Sequence, residues 1–299
     1  MSQSNYKPHY EHLKNKWQDR HKELQREILE KHGEAFHWLS HHLRNFSVGT
    51  VGALLLTINH PAVVVSSTAP ASLEKPLSPD PIDKGVFLVY DLSNIVPRDV
   101  RVLAPEEEDR ITQVLSNRFG IPIRAELEGK RLNRSYGYIG AEQHLARYPG
   151  DTMGTHFDPP AGGPDDASKY YSSGMAPGLG AWRYFASSRS EMTQKDADRE
   201  KYYIAVQTFL APGFHNNVRE YSEFFKFRKM LVVNPQNGKA MVCVIGDAGP
   251  AEWTGKSLGG SPEVMSYLKR VDGTSKGAVL YFFIDDPNDT IPLGPISLT

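Results

Sequence analysis

The feature that most constrains the fold is a pair of strand-like runs, KMLVV and AMVCVIGD, on either side of the residues NPQNGK. An Asn-Gly pair between two such runs, here Asn237-Gly238, is the strongest short-range signal for a β-hairpin. Similar short runs, YYIAVQTFL and GAVLYFFIDD, stand before and after it, and turn-forming residues separate them. The pattern predicts a β-rich domain over residues 179–299.

Composition excludes some classes of function. The chain has 34 Lys and Arg residues against 35 Asp and Glu residues, so its net charge gives no strong attraction to nucleic acid, and we predict no nucleic-acid partner. Cys243 is the only cysteine, which rules out an internal disulfide and a cysteine-based zinc site. We expect Cys243 to be a small buried strand residue.

Residues 1–44 have the pattern of an amphipathic helix. Apolar residues such as Leu13, Leu24 and Ala35 recur every eleven residues, which keeps one apolar stripe aligned along a nearly straight helix. The stripe suits self-association or a membrane surface. His37 and His41 lie one turn apart, a spacing that suits a metal, but no third ligand is evident, so we predict no metal and no cofactor.

Residues 45–73 contain no charged side chain and include the longest apolar run of the chain. They fit a membrane anchor over residues 46–66, although Asn59-His60-Pro61 interrupts it, or an export signal that ends near Ala69-Pro70-Ala71. A buried helix and strand of a soluble protein is the alternative. Residues 74–84, rich in Pro and Ser, are predicted to be a linker.

The middle of the chain predicts a small α+β region over residues 85–155, followed by a loop or linker over residues 156–178. GVFLVYDL and IPIRAEL have the pattern of strands, and APEEEDRITQVLSNRFG that of a helix that ends at a glycine. Glu142 and His144 are close in sequence to Asp151, which is consistent either with an acid–base pair or with a structural role. The whole chain is therefore expected to be α+β.

Two short motifs follow the second strand of the predicted hairpin. Gly255-Lys256-Ser257 ends like a phosphate-binding loop, but that loop needs a glycine where Pro250 stands, so we reject it. Asp247, at the end of a buried strand, is either a general acid with a raised pKa or the cap of its own turn. In SPEV, Ser261 is expected to cap a helix that begins at Pro262.

The segment from Arg228 to Leu268 resembles the double-psi β-barrel core of the RlpA-like and expansin-like families. The matching residues are Asn234, Asn237, Gly238, Asp247, Gly249, Pro250, Gly255, Lys256 and Ser261. The resemblance implies a C-terminal six-stranded double-psi barrel that acts on peptidoglycan, either as a lytic transglycosylase or as a non-catalytic, expansin-like binding or structural protein. With the N-terminal segments, it implies a membrane-anchored or secreted protein facing the cell wall.

The same resemblance makes Asp247 the acid that protonates the glycosidic oxygen. The second Asp of the family falls on Gly259, so a second carboxyl group would have to come from Glu252 or Glu263. His215 is the nearest imidazole to the family's histidine position, which falls near Tyr221. The residues expected to contact sugar are Trp182, Tyr184, Trp253 and Tyr221.

Overall fold

The computed structural model describes residues 84–270 and 277–299. The helices are α1 Lys84–Ser93, α2 Pro105–Phe119, α3 Met153–His156, α4 Pro164–Tyr170, α5 Gln194–Lys201, α6 Val218–Phe225 and α7 Pro262–Leu268. The strands are β1 Ile123–Arg124, β2 Glu126–Leu127, β3 Lys130–Arg131, β4 Tyr136–Ala141, β5 Tyr203–Val206, β6 Lys229–Val233, β7 Ala240–Ala248, β8 Leu258–Gly260, β9 Gly277–Ile284 and β10 Gly294–Ile296. The predictions for residues 1–44 and 45–73, and nearly all of the 74–84 linker, lie outside the described residues.

Six strands close a barrel in the order β9, β4, β8, β5, β7, β6 and back to β9. The pairs β4–β8 and β5–β7 are parallel and the other four are antiparallel, so the barrel is mixed. This confirms a six-stranded β-barrel within an α+β fold, and the arrangement is compatible with a double-psi barrel. The hairpin at Asn237-Gly238 is also as predicted, since Val233 pairs with Ala240 and Gly238 has a φ of 71°.

Strand β4 corrects the predicted division of the chain. It lies in the region 85–155, which the sequence separates from residues 179–299, yet it pairs with β8 and β9 of the barrel. Residues Leu77–Thr299 form one compact unit. The physical reason is closure, because every strand of a closed barrel needs two neighbours and β4 fills the place between β8 and β9.

The run GVFLVYDL is helical rather than extended, and its prediction as a strand is wrong. It forms α1, in which Leu88 and Leu92 are fully buried one turn apart while Tyr90 is exposed. Those two leucines pack in one cluster with Ile111 and Leu115 of α2. A short apolar run does not distinguish a buried helix from a strand, and here the neighbouring helix decides.

Strand β7 shows how the barrel wall is built. Met241, Cys243 and Ile245 pack together inside the barrel, whereas Val242 belongs to the cluster formed with α1 and α2. Alternate residues of a strand face opposite sides, so this is the expected pattern of a wall buried on both faces. Cys243 is fully buried, as predicted, and burial raises the pKa of its thiol.

Within residues 84–270 and 277–299, no helix is long and apolar enough to cross a membrane.

Candidate functional site

Asp247 lies near the end of β7, where the register between β5 and β7 shifts. Ile204 pairs with Ile245, but the next residue of β5, Ala205, pairs with Asp247. Gly246 is therefore an extra residue, a bulge that reverses the alternation of the strand. Because paired residues face the same side of a sheet, Asp247 shares the outer face of the barrel with Ala205.

A row of small residues continues across that outer face. Ala205 pairs with Gly259 on β8, so Asp247, Ala205 and Gly259 stand side by side on three neighbouring strands. The Glu142 side chain occupies the space beside Gly259, because a Cβ built on Gly259 would lie 2.5 Å from the Glu142 Cδ. The space beside Gly259, the position at which the sequence resemblance expects a second acid, is thus filled by a carboxyl group that follows the end of β4.

Hydrogen bonds fix both carboxyl groups. One oxygen of Asp247, Oδ1, accepts from the backbone N–H of Ala181 at 2.6 Å and from that of Ala248 at 2.7 Å. The Nζ of Lys256 lies 3.3 Å from the Glu142 Oε1 and 2.9 Å from the Ala141 carbonyl oxygen. Asp247 keeps its Oδ2 for another partner, and Glu142 is held by a cation.

Both carboxyl groups have raised pKa values. Burial raises the pKa of Asp247, and the hydrogen bonds from Ala181 and Ala248 only partly oppose it. Burial also raises the pKa of Glu142, Lys256 opposes that rise, and the charge on Asp247 adds to it. A half-buried carboxyl group with a raised pKa is suited to hold and donate a proton.

The structure brings few of the other predicted site residues to this face. Glu252 and Trp253 are exposed on a 3-10 turn, Glu252–Thr254, in the loop after β7. That loop is held because the side-chain amide of Gln207 donates to the carbonyl oxygens of Pro250 and Lys256, at 3.0 and 3.2 Å. Trp253 is 89% exposed, which leaves its ring available to a ligand.

The remaining aromatic and imidazole residues from the sequence prediction are held by hydrogen bonds or ring contacts, or are exposed. Trp182 donates its indole N–H to the carbonyl oxygen of Ile245, two residues before Asp247. The Tyr221 hydroxyl donates to the Pro212 carbonyl oxygen. His215 is exposed and its ring meets Phe214 edge-on, and Tyr184 is 36% exposed.

Glu263 lies in the first turn of α7, as predicted from the sequence, and it is buried. No described hydrogen bond or ion pair joins it to Asp247. Burial first, and then the charge on Glu200, raise the pKa of Glu263 to about 7. Glu200, which is close to Glu263, belongs to a second group of polar residues, of which the sequence singled out only some members.

This second group is a buried cluster of His144, His156 and Glu200. His144 follows β4, His156 is the last residue of α3, and Glu200 is on the buried face of α5. The Nε2 of His156 lies 3.0 Å from the Glu200 Oε2, and the Nδ1 of His144 lies 3.5 Å from the Glu200 Oε1. We call these three residues the buried cluster.

The charges of the buried cluster are strongly coupled. Burial alone would lower the pKa of His156. The charge on Glu200 and the hydrogen bonds to Asp151 and Glu200 outweigh burial and raise that pKa to about 9. Burial raises the pKa of Glu200, but His156 and His144 lower it to about 2. Two imidazoles and a carboxylate from three elements form a group that is able to hold a metal ion.

The comparisons with family models, with curated proteins and with solved structures returned no match to this chain.

Proposed function

We propose that the barrel binds peptidoglycan and cleaves its glycan strands as a lytic transglycosylase, with Asp247 as the acid and Glu142 as the second carboxyl group. The observation that carries this proposal is the row Asp247, Ala205 and Gly259, with the Glu142 side chain beside Gly259. The row gives two carboxyl groups on one face, and the two strand residues between them, Ala205 and Gly259, are small.

The raised pKa of Asp247 favours the protonated form that can give a proton to a leaving group. In the proposed reaction Asp247 gives that proton to the glycosidic oxygen as the bond to the sugar C1 breaks. The 6-hydroxyl of the same sugar then bonds to C1, and its proton returns to Asp247. While Asp247 holds the proton, its charge no longer raises the pKa of Glu142 and Lys256 favours the ionised form of Glu142, which stabilises the positive charge that develops on the sugar ring.

Trp253 is the proposed sugar-stacking residue, because its ring is exposed on the loop that Gln207 holds. We expect Trp253→Ala to weaken sedimentation of the protein with purified peptidoglycan without changing the free energy of unfolding. Tyr90→Ala is the matched control, since Tyr90 is also an exposed aromatic residue but lies on α1. If both variants weaken sedimentation equally, Trp253 is not part of the peptidoglycan-binding surface.

The enzymatic step is tested by analysis of the muropeptides released from peptidoglycan. We expect products that end in an anhydro sugar from the wild type, and a loss of at least about 100-fold in rate for Asp247→Asn, the range typical of a general acid. Glu142→Gln should also slow the reaction, whereas Glu252→Gln, a change at an exposed carboxyl group, should not.

A second candidate function follows if the wild type and Asp247→Asn both release nothing while the protein still sediments with peptidoglycan. The chain would then be a non-catalytic, expansin-like binding or structural protein of the cell surface. The exposed Trp253 favours this candidate as much as it favours the enzyme.

Location and self-association rest on the sequence of residues 1–73. We propose that residues 46–66 anchor the protein to a membrane or export it, so that the barrel faces the wall, and that residues 1–44 self-associate. Cell fractionation tests the first part. Cross-linking with and without residues 1–44 tests the second, and an unchanged monomeric pattern would contradict it.

A further inference from the structure

The buried cluster contains an imidazole whose polar atoms have no ordinary partner. His144 is 0% exposed, and neither of its ring nitrogens makes a hydrogen bond to any atom of the described residues. The approach of its Nδ1 to Glu200, at 3.5 Å, is an ion-pair distance at most. Buried polar atoms are nearly always satisfied, so an imidazole in this state requires an explanation.

The atoms that face one another are of the kinds that bind zinc. One ligand atom from each of His144, His156 and Glu200 lies within 4.8 Å of the other two. The two rings are 4.5 Å apart between centroids, tilted by 47°. Two imidazole nitrogens and a carboxylate oxygen are a ligand set typical of zinc sites that leave a fourth position for water or another ligand.

Surrounding residues hold the three side chains in place. The Asp151 Oδ2 lies 3.3 Å from the Nδ1 of His156, on the side of the ring opposite Glu200. The guanidinium of Arg147 in turn donates two hydrogen bonds to Asp151, at 2.8 and 3.0 Å, and its backbone N–H donates a third at 3.1 Å. A carboxylate on the outer nitrogen of a histidine is the usual support of a metal-binding imidazole, because it fixes the ring and its tautomer.

Two further contacts complete the surroundings. The backbone N–H of Leu145 donates to the Glu200 Oε1 at 2.9 Å, and Phe157 packs edge-on against both imidazole rings. The carboxyl group of Glu263 is buried nearby, and its Oε2 has no hydrogen bond within the part of the chain that the structure describes. This is a second unsatisfied polar group close to the same carboxylate.

We propose that His144, His156 and Glu200 form a buried divalent-metal site of the zinc type. The metal bonds to the Nε2 of His156, a ring nitrogen of His144 and the carboxylate of Glu200, with the fourth position open to water or to Glu263. It ties the segment from His144 to His156 onto α5. The proposal does not rest on the glycan-cleaving function, since none of its ligands belongs to the Asp247 row.

A metal-free account explains only part of the cluster. His156 as an imidazolium between Asp151 and Glu200 is a satisfied ion pair, because each of its ring nitrogens has a carboxylate partner. That account leaves both ring nitrogens of His144 without a hydrogen bond among the described residues, with only the 3.5 Å approach of Nδ1 to Glu200. A metal satisfies both imidazoles at once, and it is the simplest occupant that the ligand atoms admit.

The test uses the full-length protein, stripped of metal with a chelator and titrated with Co²⁺ and then Zn²⁺. We expect one Co²⁺ per chain with the intense visible absorption of four-coordinate cobalt, displacement by Zn²⁺, and a rise in Tm with either ion. His144→Gln and Glu200→Gln should lose the absorption and the rise in Tm. The His37→Gln/His41→Gln variant is the control, because those residues lie one turn apart in the sequence, a spacing that could also hold a metal ion.

Loss of the signal in the His37→Gln/His41→Gln variant, with retention in His144→Gln, would overturn the proposal. So would a wild-type protein that binds neither ion. If the buried variants fail to fold, X-ray absorption of the zinc-loaded wild type decides instead. Two imidazoles in the first coordination shell support the site, and a shell of oxygen atoms alone contradicts it.

Discussion

Gly259 is the residue that allows a carboxyl group from β4 to reach the outer face of the barrel. A Cβ at this position would lie 2.5 Å from the Glu142 Cδ, so Gly259→Ala must displace that side chain. We expect a loss of about 1–3 kcal/mol in the free energy of unfolding from this overpacking. Urea denaturation measures it.

A double-mutant cycle identifies the cause of that loss. Replacement of Glu142 by Ala should remove most of the cost of Gly259→Ala, because the overlapping atoms are gone. Gly178→Ala is the control, since no described atom lies within 4 Å of a Cβ built there. Additive effects of the two substitutions would show that Glu142 does not occupy the space beside Gly259.

Glu263 gives a pH dependence of stability with a defined sign. Its pKa is raised to about 7 in the folded protein from 4.5, so the folded state keeps a proton that the unfolded state loses. Stability therefore falls as the pH rises between those two values and levels off above the upper one. The fall attributable to Glu263 is about 3 kcal/mol at most.

Glu263→Gln should abolish this contribution. The difference in unfolding free energy between wild type and Glu263→Gln is expected to favour the wild type more at about pH 5 than at about pH 7.5 in metal-free buffer. A difference independent of pH would mean that Glu263 titrates normally in the folded protein. Comparison with the variant is necessary because His156 also has a shifted pKa.

The orientation of Asp247 shows the limit of prediction for a single side chain. Alternation from Met241, Cys243 and Ile245 would direct Asp247 into the barrel, whereas the bulge at Gly246 turns it outward. The sequence does place an acid at the end of this strand. It does not show the bulge, because the extra residue exists only relative to the register of β5.

Helix α7 is an element whose start was predictable from its own residues. Ser261 accepts from the Val264 N–H at 3.3 Å, Pro262 is the first helical residue and Glu263 lies in the first turn. A helix cap involves only residues within three or four positions of one another, so it can be predicted from the local sequence without knowledge of the rest of the fold. The residue before helix α1 lies outside the described residues, and packing accounts for this helix, because Leu88 and Leu92 lie in one cluster with residues of α2 and of the barrel strands.

Ser261 also connects two helices, which makes its removal unusually costly for a cap. Its fully buried hydroxyl donates to the Lys201 carbonyl oxygen at 2.7 Å, at the end of α5. We expect Ser261→Ala to lower the free energy of unfolding by about 2–3 kcal/mol, since a cap and a buried hydrogen bond are both lost. Equilibrium denaturation measures the change.

Asn217→Ala provides the comparison for Ser261→Ala. Asn217 caps α6 through the Glu220 N–H at 3.2 Å, but it is exposed and water replaces its hydrogen bond. Its loss should be about 1 kcal/mol. Equal losses for the two variants would mean that the bond from Ser261 to Lys201 contributes nothing to stability.

The sequence predicted some strands of the barrel and not others, because one strand pairs only with partners that are far from it in the sequence. The strands of the hairpin β6–β7 and strand β9 have β-branched or aromatic patterns that predict them directly. Strand β4, YGYIGA, carries two glycines and joins strands that follow it by more than a hundred residues. The buried cluster was missed in part for the same reason, because Glu200 is brought to His144 by the fold and not by the sequence order.

Truncation tests this dependence on β4. A protein beginning at Leu77 should unfold cooperatively, with a Tm within a few degrees of that of the full chain, because Leu77–Thr299 is a compact unit. A protein limited to residues 179–299 lacks β4 and should show no cooperative transition in calorimetry. Cooperative unfolding of the shorter protein would restore the predicted boundary between the two regions.

Closure of the barrel by β9 has a consequence for synthesis of the chain. Glu142 follows β4, and β4 can pair only after β8 and β9 have been synthesised. Of the six barrel strands, β9 is the last to leave the ribosome. A nascent or prematurely terminated chain that ends before Gly277 cannot hold Glu142 opposite Asp247. Any arrangement that needs both carboxyl groups on one face therefore forms only after Ile284, the last residue of β9, has left the ribosome.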